Sequence, residues 1–251
     1  YSGMLPAVLA GQVPREEMEI DLVKLCSVAG ARLITSPVIE HDAEGQRLIF
    51  ADRPPMQYDV LSIGVGSKPS IPPVEVQSAS AQLRCLMIKP MQTFMQRLET
   101  AVANACELAR DRCIDVAVVG SGAAGVEIAC CLIEYMKNNV NQQFQVKLVS
   151  RSANVLADSS QSLRTRVEAA LAQRGVASVT GLEVVKCSEE QGTSQLRLES
   201  AEHDGSSPLL ADVVIWATGA TAPPLLSKLG MPLDDRGFLK TDQTLQCKPF
   251  D

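Results

Sequence analysis

A glycine-rich turn is the part of this sequence best suited to bind a ligand. Residues 120–125 read Gly-Ser-Gly-Ala-Ala-Gly, follow an apolar run that ends at Val119, and precede a helical pattern. In dinucleotide-binding folds the first glycine permits a tight turn, the second lets a pyrophosphate approach the backbone, and the third lets the helix pack close to the strand. The helix N-terminus adds unpaired N–H groups and a partial positive charge. The pattern predicts a dinucleotide site, with a purely structural turn as the alternative. The predicted cofactor-binding residues are Gly120, Ser121, Gly122, Ala123, Ala124 and Gly125.

The residues after the next predicted strand bear on the choice of nucleotide. Enzymes that use NAD commonly place an Asp or Glu at this point, where it binds the ribose hydroxyls. Here the strand from Gln145 to Val149 is followed by Ser150, Arg151 and Ser152. An arginine between hydroxyls suits a 2′-phosphate, so Ser150 and Arg151 are predicted cofactor-binding residues and NADPH is favoured over NADH. The alternative is that Arg151 is a solvated loop residue.

Strand and helix alternate around the glycine-rich turn. Because parallel strands need crossover connections, this alternation predicts a parallel sheet with helices on both of its faces. The predicted elements are strands at 114–119, 145–150, 176–180 and 212–217, helices at 90–110, 123–139 and 159–174, and a hairpin of 182–189 with 194–200.

The flanking segments have a different pattern. An apolar stripe that follows Pro14 predicts one helix ending at Gly30. Runs rich in β-branched residues between polar turns predict strands on both flanks. The predicted flanking strands are 31–40, 47–51, the more apolar 58–65, and a short exposed strand at 237–245.

Composition and charge argue against several classes of function. The formal net charge of −6 and the lack of a basic run disfavour a nucleic-acid or membrane-surface partner. No apolar stretch approaches the roughly 18–20 residues that cross a bilayer, and no secretory signal is visible. The eight cysteines lack C-x-x-C or zinc spacing, so free thiols in a reducing cytoplasm are expected, with a redox pair as the alternative. His41 and His203 fall in predicted turns and are expected to be solvated, and no metal site is predicted.

Three motifs in order resemble those of the pyridine nucleotide-disulfide oxidoreductase superfamily, flavoproteins with two dinucleotide-binding domains. Residues 125–129, Gly-Val-Glu-Ile-Ala, look like its NAD(P)H-binding motif. Residues 212–220, Asp-Val-Val-Ile-Trp-Ala-Thr-Gly-Ala, are similar to its crossover strand, and 58–67 look like the earlier counterpart with Gly-Val-Gly in place of Ala-Thr-Gly. The opening Tyr-Ser-Gly-Met-Leu-Pro at 1–6 resembles the type II NADH dehydrogenase-like members, especially those fused to selenide, water dikinase.

The resemblance implies a reaction and two cofactors. Hydride would pass from NADH or NADPH to FAD and then to an acceptor that the sequence does not name: a quinone, a sulfur or selenium species, or a protein thiol. Glu127 would be the catalytic residue that faces the nicotinamide, its alternative role being a carboxylate near a helix N-terminus. Thr218 and Gly219 would let the backbone pass close to the dinucleotide. Gly66 and Ser67 would lie near the flavin, or else be ordinary loop residues.

The resemblance also predicts how the domains are arranged. In such proteins the flavin-binding G-x-G-x-x-G would lie upstream of Tyr1, and a second flavin motif would follow Asp251, so the chain is expected to be a fragment with an incomplete FAD site. The predicted fold is α/β, a Rossmann-like parallel-sheet NAD(P)-binding domain at 79–217 inserted in a partial FAD-binding domain of 1–78 and 218–251. Two other functions stay open: a non-catalytic pyridine-nucleotide-binding module, and a regulatory module linked to selenium metabolism.

Overall fold

The computed structural model of the chain describes residues 1–200 and 208–247. In these residues the helices are α1 (Leu5–Leu9), α2 (Arg15–Met18), α3 (Leu22–Val28), α4 (Ala79–Arg84), α5 (Phe94–Leu108), α6 (Ala123–Asn139) and α7 (Gln161–Arg174). The strands are β1 (Val38–Asp42), β2 (Arg47–Phe50), β3 (Met56–Gln57), β4 (Lys68–Pro69), β5 (Val74–Glu75), β6 (Cys85–Met87), β7 (Ile114–Val119), β8 (Phe144–Val149), β9 (Val176–Val179), β10 (Val184–Glu189), β11 (Leu196–Ser200), β12 (Leu209–Ala211), β13 (Val213–Trp216) and β14 (Ala220–Thr221).

Contacts within the chain divide it into two units. The first unit combines Tyr1–Glu19 with Pro69–Gly219, and the second combines Ile20–Lys68 with Ala220–Asp251. The first unit includes residues 1–19, which the sequence assigned to the flank, and the predicted insertion of one domain in another stays a prediction. The flavin role predicted for the flanks stays a prediction.

The first nineteen residues belong with the dinucleotide fold rather than with the flank to which the sequence assigned them. Leu5 and Leu9 of α1 are each 1% exposed. They join the same core cluster as Leu132 and Met136 of α6. Burial of apolar side chains is the main favourable contribution to folding, so α1 forms part of the first unit's core.

A five-stranded parallel sheet forms the centre of the first unit. Its order is β6-β13-β7-β8-β9, and every neighbouring pair is parallel. The apolar runs in β7 and β13 are typical of strands covered on both faces, and Val116, Val118 and Ile215 are fully buried. α6 connects β7 to β8, and α7 connects β8 to β9. The predicted Rossmann-like parallel sheet is confirmed.

The two faces of this sheet are covered by different structures. Leu98 of α5, Leu132 of α6 and Leu171 of α7 join one core cluster. Trp216 and Leu198 belong to the second cluster, which packs the opposite face against a four-stranded sheet of order β12-β11-β10-β5. The prediction of helices on both faces is therefore wrong. Successive right-handed crossovers that continue in one direction leave α6 and α7 on the same face.

The second unit contains the antiparallel sheet β1-β2-β3 and corrects the prediction for a histidine. His41 lies in β1 and is 9% exposed. Its Nδ1 is 2.8 Å from the carbonyl oxygen of Leu229, and its Nε2 is 2.5 Å from the Tyr58 hydroxyl oxygen. The expectation of a solvated turn residue is wrong because both ring nitrogens have partners inside this unit. His203 lies outside the described residues.

Four predicted flanking elements differ from the structure. The predicted strand 31–40 begins only at Val38, because its pairing with β2 begins there, opposite Phe50. The predicted strand 58–65 is irregular, and Val60 within it is 87% exposed. No described strand pairs with this segment, and an apolar segment does not form a strand without hydrogen-bonding partners for its backbone. The predicted helix after Pro14 is interrupted, since the Asp21 carboxylate accepts the N–H of Lys24 at 3.0 Å and begins a separate helix. The predicted strand 237–245 is also irregular.

Candidate functional site

The first and third glycines of the turn are required by backbone packing. Gly120 has φ +114°, and a Cβ placed there would lie 2.5 Å from the carbonyl oxygen of Ala217. A Cβ on Gly125 would lie 1.7 Å from the carbonyl oxygen of Gly120. No side chain fits at either distance, so these glycines let α6 and the end of β13 close directly onto the turn. The motif predicted these two roles, a tight turn at the first glycine and close packing of the helix against the strand at the third.

Gly122 has a different environment, and it faces open space. It is the N-cap of α6, with φ −71° and ψ 179°, a conformation open to any L-residue. No heavy atom lies within 4 Å of a Cβ built at this position, and no side chain caps the helix. The first N–H groups of a helix have no partner within it, so those of α6 remain available to an anion. Gly122, Ala123 and Ala124 are exposed, and their contact with a pyrophosphate stays a prediction.

A pair of serine hydroxyls joins the turn to the end of the next strand. The Ser121 hydroxyl donates to Ser150 Oγ at 2.6 Å, and Ser150 Oγ also accepts the N–H of Ser152 at 3.2 Å. The Ser150 hydroxyl lies 3.4 Å from the Asn154 carbonyl oxygen, to which it donates. Ser150 is only 1% exposed.

This network gives Ser150 a structural role. Its oxygen is buried and has three protein partners, so it holds the loop that carries Arg151, whose side chain is exposed just beyond the end of β8. The predicted contact of Ser150 with a 2′-phosphate stays a prediction. A further hydrogen bond holds the same loop against the turn, since the Leu156 N–H donates to the Ser121 carbonyl oxygen at 3.0 Å. Ser150 is a positioning residue for Arg151.

The segment after β13 lies against the same turn. A Cβ on Gly120 would be 2.9 Å from the backbone nitrogen of Thr218, so the two chain segments touch. The Thr218 hydroxyl donates to the carbonyl oxygen of Ser70, and the Ser70 N–H donates to the Gly219 carbonyl oxygen at 2.7 Å. The structure thus brings the backbone of Thr218 beside the glycine-rich turn. The contact of Thr218 and Gly219 with a dinucleotide stays a prediction.

Of the remaining predicted site residues, Glu127 and Gly66 are exposed and Ser67 is half-buried. Glu127 is in the second turn of α6, past the residues whose N–H groups are unpaired, and its side chain is exposed. Gly66 and Ser67 belong to the second unit, where Gly66 has φ +69° and open space around it. That left-handed backbone favours glycine and permits close approach by a ligand. The nicotinamide and flavin roles of these residues stay predictions.

A charged cluster at the amino ends of β7 and β13 has a structural role. The Asp212 side chain is fully buried and accepts both Arg112 Nη1 and Nη2, at 2.7 and 2.5 Å, together with the N–H of Asp115 at 2.9 Å. Arg84 Nη1 donates to the Asp212 carbonyl oxygen at 2.9 Å. The hydrogen bonds that Arg112 donates to Asp212 raise the pKa of Arg112, whereas burial lowers the pKa of Arg84.

Ligands of open α/β sheets bind at the carboxyl ends of the strands, which places this cluster at the wrong end for catalysis. A cavity of about 550 Å³ lined by Cys113, Gln142 and Phe144 adjoins the amino ends of β7 and β8 and is likewise remote from the glycine-rich turn. Within residues 1–200 and 208–247, no group of three or more His, Cys, Asp or Glu side chains is placed to hold a metal ion. No helix in the same part of the chain is long and apolar enough to cross a membrane.

Two curated relatives share sequence with this chain. The demethylphylloquinone reductase NdbB of Synechocystis is 25% identical over 99% of this chain and 58% of its own length. The alternative NAD(P)H-ubiquinone oxidoreductase C1 of Arabidopsis thaliana, named as chloroplastic/mitochondrial, is 34% identical over 54% of this chain and 27% of its own length. The chain therefore spans between a quarter and three fifths of the length of these relatives.

Solved structures show the same fold. The water-forming NADH oxidase from Lactobacillus brevis, bound to NADH, matches with a TM-score of 0.74 at 19% identity, over 98% of this chain and 51% of that chain. An engineered NADPH oxidase derived from it, bound to NADPH, matches with a TM-score of 0.72 at 19% identity over the same shares.

The family match covers almost the whole chain. The sequence pattern of the pyridine nucleotide-disulphide oxidoreductases matches residues 2–249. It extends across the glycine-rich turn, the parallel sheet and both flanking segments. The chain belongs to the pyridine nucleotide-disulphide oxidoreductase family.

Proposed function

We propose that this chain supplies the NAD(P)H-binding part of an FAD-dependent oxidoreductase of the NADH dehydrogenase-like kind. The observation that carries the proposal is the opening at Gly122, where the turn presents uncapped helix N–H groups and no side chain. Gly120 and Gly125 hold the turn in that shape, because any larger residue would collide with backbone atoms.

The residues of the chain have distinct tasks in this proposal. Backbone N–H groups at the start of α6 bind the pyrophosphate, and the Ser121–Ser150 pair fixes the loop that meets the adenosine ribose. Glu127 contacts the nicotinamide carboxamide and orients the ring. Bound FAD would accept hydride from the reduced nicotinamide and pass the electrons on, and Gly66 and Ser67 would hold the backbone open beside it.

NADPH is the proposed nucleotide. Arg151 is exposed at the end of β8, where an acidic residue would otherwise bind the ribose hydroxyls. The engineered NADPH-bound oxidase named above carries, at consecutive positions, replacements of Asp by Ala, Ala by Arg and Met by Ser. An Arg followed by Ser also occurs here as Arg151 and Ser152, which supports the same preference.

A quinone is the proposed electron acceptor. NdbB is named as a demethylphylloquinone reductase, and the Arabidopsis relative as a ubiquinone oxidoreductase. Both names identify a quinone as a substrate of the relative. The association with selenide, water dikinase and the cytoplasmic location rest on the sequence alone and stay predictions.

Calorimetric titration with NADH and NADPH tests the nucleotide site through Gly122→Ala. Alanine is compatible with the backbone angles at this position, but its methyl group occupies the space that the pyrophosphate needs. We expect nucleotide affinity to fall at least about tenfold, because the variant loses one charge-assisted hydrogen bond, which contributes about 1.5 kcal/mol. Circular dichroism should stay unchanged.

Gly64→Ala is the matched control, because Gly64 also has open space around it and an ordinary φ but lies in the second unit. It should leave nucleotide affinity intact. Equal affinity in Gly122→Ala and wild type would overturn the proposed site. The rate of NADPH oxidation is then measured after addition of FAD and a short-chain quinone. Turnover would identify an enzyme, whereas nucleotide binding without turnover would identify a non-catalytic binding module.

A further inference from the structure

Two cysteine thiols that are distant in sequence meet between the two sheets of the first unit. Cys85 is the first residue of β6, an edge strand of the parallel sheet, and Cys187 lies within β10 of the four-stranded sheet. Both side chains pack in the same apolar cluster, and each thiol shifts the pKa of the other. The indole Nε1 of Trp216 donates to Cys85 Sγ at 3.2 Å.

The two thiols differ in exposure and acidity. Interaction with the Cys187 thiol and the hydrogen bond from the Trp216 indole lower the pKa of the Cys85 thiol, and the Cys85 residue is half-buried. Cys187 is fully buried, and its interaction with the Cys85 thiol together with burial raises its pKa. The thiolate is the nucleophilic form of cysteine, so Cys85 is the member of the pair suited to react first.

We propose that Cys85 and Cys187 form an oxidisable dithiol site that closes to a disulfide under hydroperoxides. The Cys85 thiolate attacks one peroxide oxygen of hydrogen peroxide, the O–O bond breaks, and hydroxide leaves, which oxidises the sulfur to sulfenic acid. The Cys187 sulfur then attacks that sulfenic sulfur, its proton joins the departing hydroxide as water, and the S–S bond forms. In total two thiols lose two electrons and two protons, and one peroxide becomes two waters.

The other cysteines of the first unit lack this arrangement. Cys130 and Cys131 are neighbours on α6, where adjacent side chains point in different directions, and burial raises the pKa of each thiol. Burial also raises the pKa of Cys106 and of Cys113. The inference depends only on the pair at Cys85 and Cys187, and it stands independently of the proposed nucleotide function.

The test is a disulfide map of the intact chain. The reduced protein is treated with hydrogen peroxide, its remaining thiols are alkylated in denaturant, and peptides are analysed by mass spectrometry without reduction. We expect two of the eight thiols to be lost and one linked peptide pair containing Cys85 and Cys187, lighter by two hydrogens and separated again by dithiothreitol. Linkage of Cys85 to another cysteine, or its conversion to sulfinic acid without linkage, would overturn the proposal.

Trp216 provides a second readout because it is the only tryptophan in the chain. Its indole contacts the Cys85 sulfur directly, so closure of the disulfide should quench its fluorescence, and dithiothreitol should restore it. Cys85→Ala should abolish both the quenching and the loss of paired thiols, while the control Cys106→Ala should behave as wild type. If Cys85→Ala fails to fold, the map of the wild-type chain decides the question by itself. Full quenching in folded Cys85→Ala would contradict the assignment.

Discussion

The three glycines of the turn act through three different physical effects. Gly120 needs a backbone angle that favours glycine, and Gly125 needs the absence of a side chain where helix and turn touch. Gly122 needs neither, since its angles are ordinary and its surroundings are open. Substitutions at the first and third positions should therefore damage the fold, while substitution at the second should damage binding alone. This difference separates structural glycines from a ligand-binding one.

Arg151→Ala tests the choice between NADPH and NADH. Arg151 is exposed and follows the buried Ser150, so its removal should leave the fold intact. We expect NADPH affinity to fall about tenfold through loss of one charged contact to the 2′-phosphate, with NADH affinity unchanged. Paired calorimetric titrations measure both.

The control for that substitution is Arg166→Ala, which removes the same charge from an exposed position on α7. It should change neither affinity. Equal weakening of both nucleotides by Arg151→Ala would show that the arginine contributes general positive charge rather than selectivity. No change in either would favour the solvated-loop interpretation.

At the scale of elements, α4 is anchored by a carboxylate from another strand. Glu189 of β10 accepts the N–H of Gln77 at 2.8 Å and of Ser78 at 2.7 Å, while the Ser78 hydroxyl caps the helix by accepting the N–H of Ala81. These hydrogen bonds to the charged form lower the pKa of Glu189. The junction between β5 and α4 therefore depends on an ionised Glu189.

A pH dependence of stability follows from that lowered pKa. A carboxylate whose pKa is lower in the folded state stabilises it above the ordinary value of 4.5, and the effect is lost as pH falls through the folded pKa. Glu189→Gln resembles the protonated side chain. The difference in unfolding free energy between wild type and this variant should be complete at neutral pH and shrink below pH 4.5.

Urea unfolding at several pH values measures this difference, and Glu183→Gln, at an exposed position just before β10, is the control. The difference in unfolding free energy between wild type and Glu183→Gln should not change with pH in this way. A gap between wild type and Glu189→Gln that stays constant at acidic pH would contradict the role given to the carboxylate.

The ion pair between Arg112 and Asp212 holds the amino ends of β7 and β13. Arg112→Met would leave the fully buried Asp212 carboxylate without its charged partner. We expect a loss of about 2–3 kcal/mol in unfolding free energy, at or below the usual range for a broken buried pair, because Arg112 itself is 37% exposed. Chemical denaturation measures the loss. Arg110→Met, at an exposed position nearby, should lower the unfolding free energy far less. An equal loss in both variants would contradict a stabilising role for the Arg112–Asp212 ion pair.

At the scale of the whole molecule, the chain crosses between two units more than once. The first unit takes residues from the start and the middle of the sequence, and the second takes the intervening and final segments. Trp216 lies in the central sheet of the first unit, so its fluorescence reports the unfolding of that unit.

Leu9→Ala tests whether the opening residues belong to the dinucleotide unit. Leu9 is 1% exposed within the core cluster that includes α6, and its truncation leaves a cavity. We expect a loss of about 2–4 kcal/mol, seen as an earlier unfolding transition of Trp216 fluorescence. Leu25→Ala in α3, where the leucine is 53% exposed and lies in the second unit, should leave that transition unmoved. If Leu9→Ala leaves the unfolding transition unchanged, the opening residues do not belong to the core of the first unit.

The sequence by itself determined the features whose causes lie within a few residues. The bounds of β7 and α6 agree with the apolar run and helical periodicity that predicted them, and the glycine-rich turn lies between them as expected. The parallel sheet followed from the alternation of strand and helix. Local sterics and side-chain periodicity control these features, so no distant residue was needed to predict them.

Only the tertiary structure decided what depends on residues distant in the chain. The Ser150 hydroxyl is used internally because Ser121 lies beside it, and Cys85 and Cys187 pack in one apolar cluster although 102 positions separate them in the chain. The segment at 58–65 has the composition of a buried strand but no neighbour to pair with in the described residues. Hydrogen-bond partners and burial are properties of the assembled fold, and periodicity along the sequence carries no information about which segments meet.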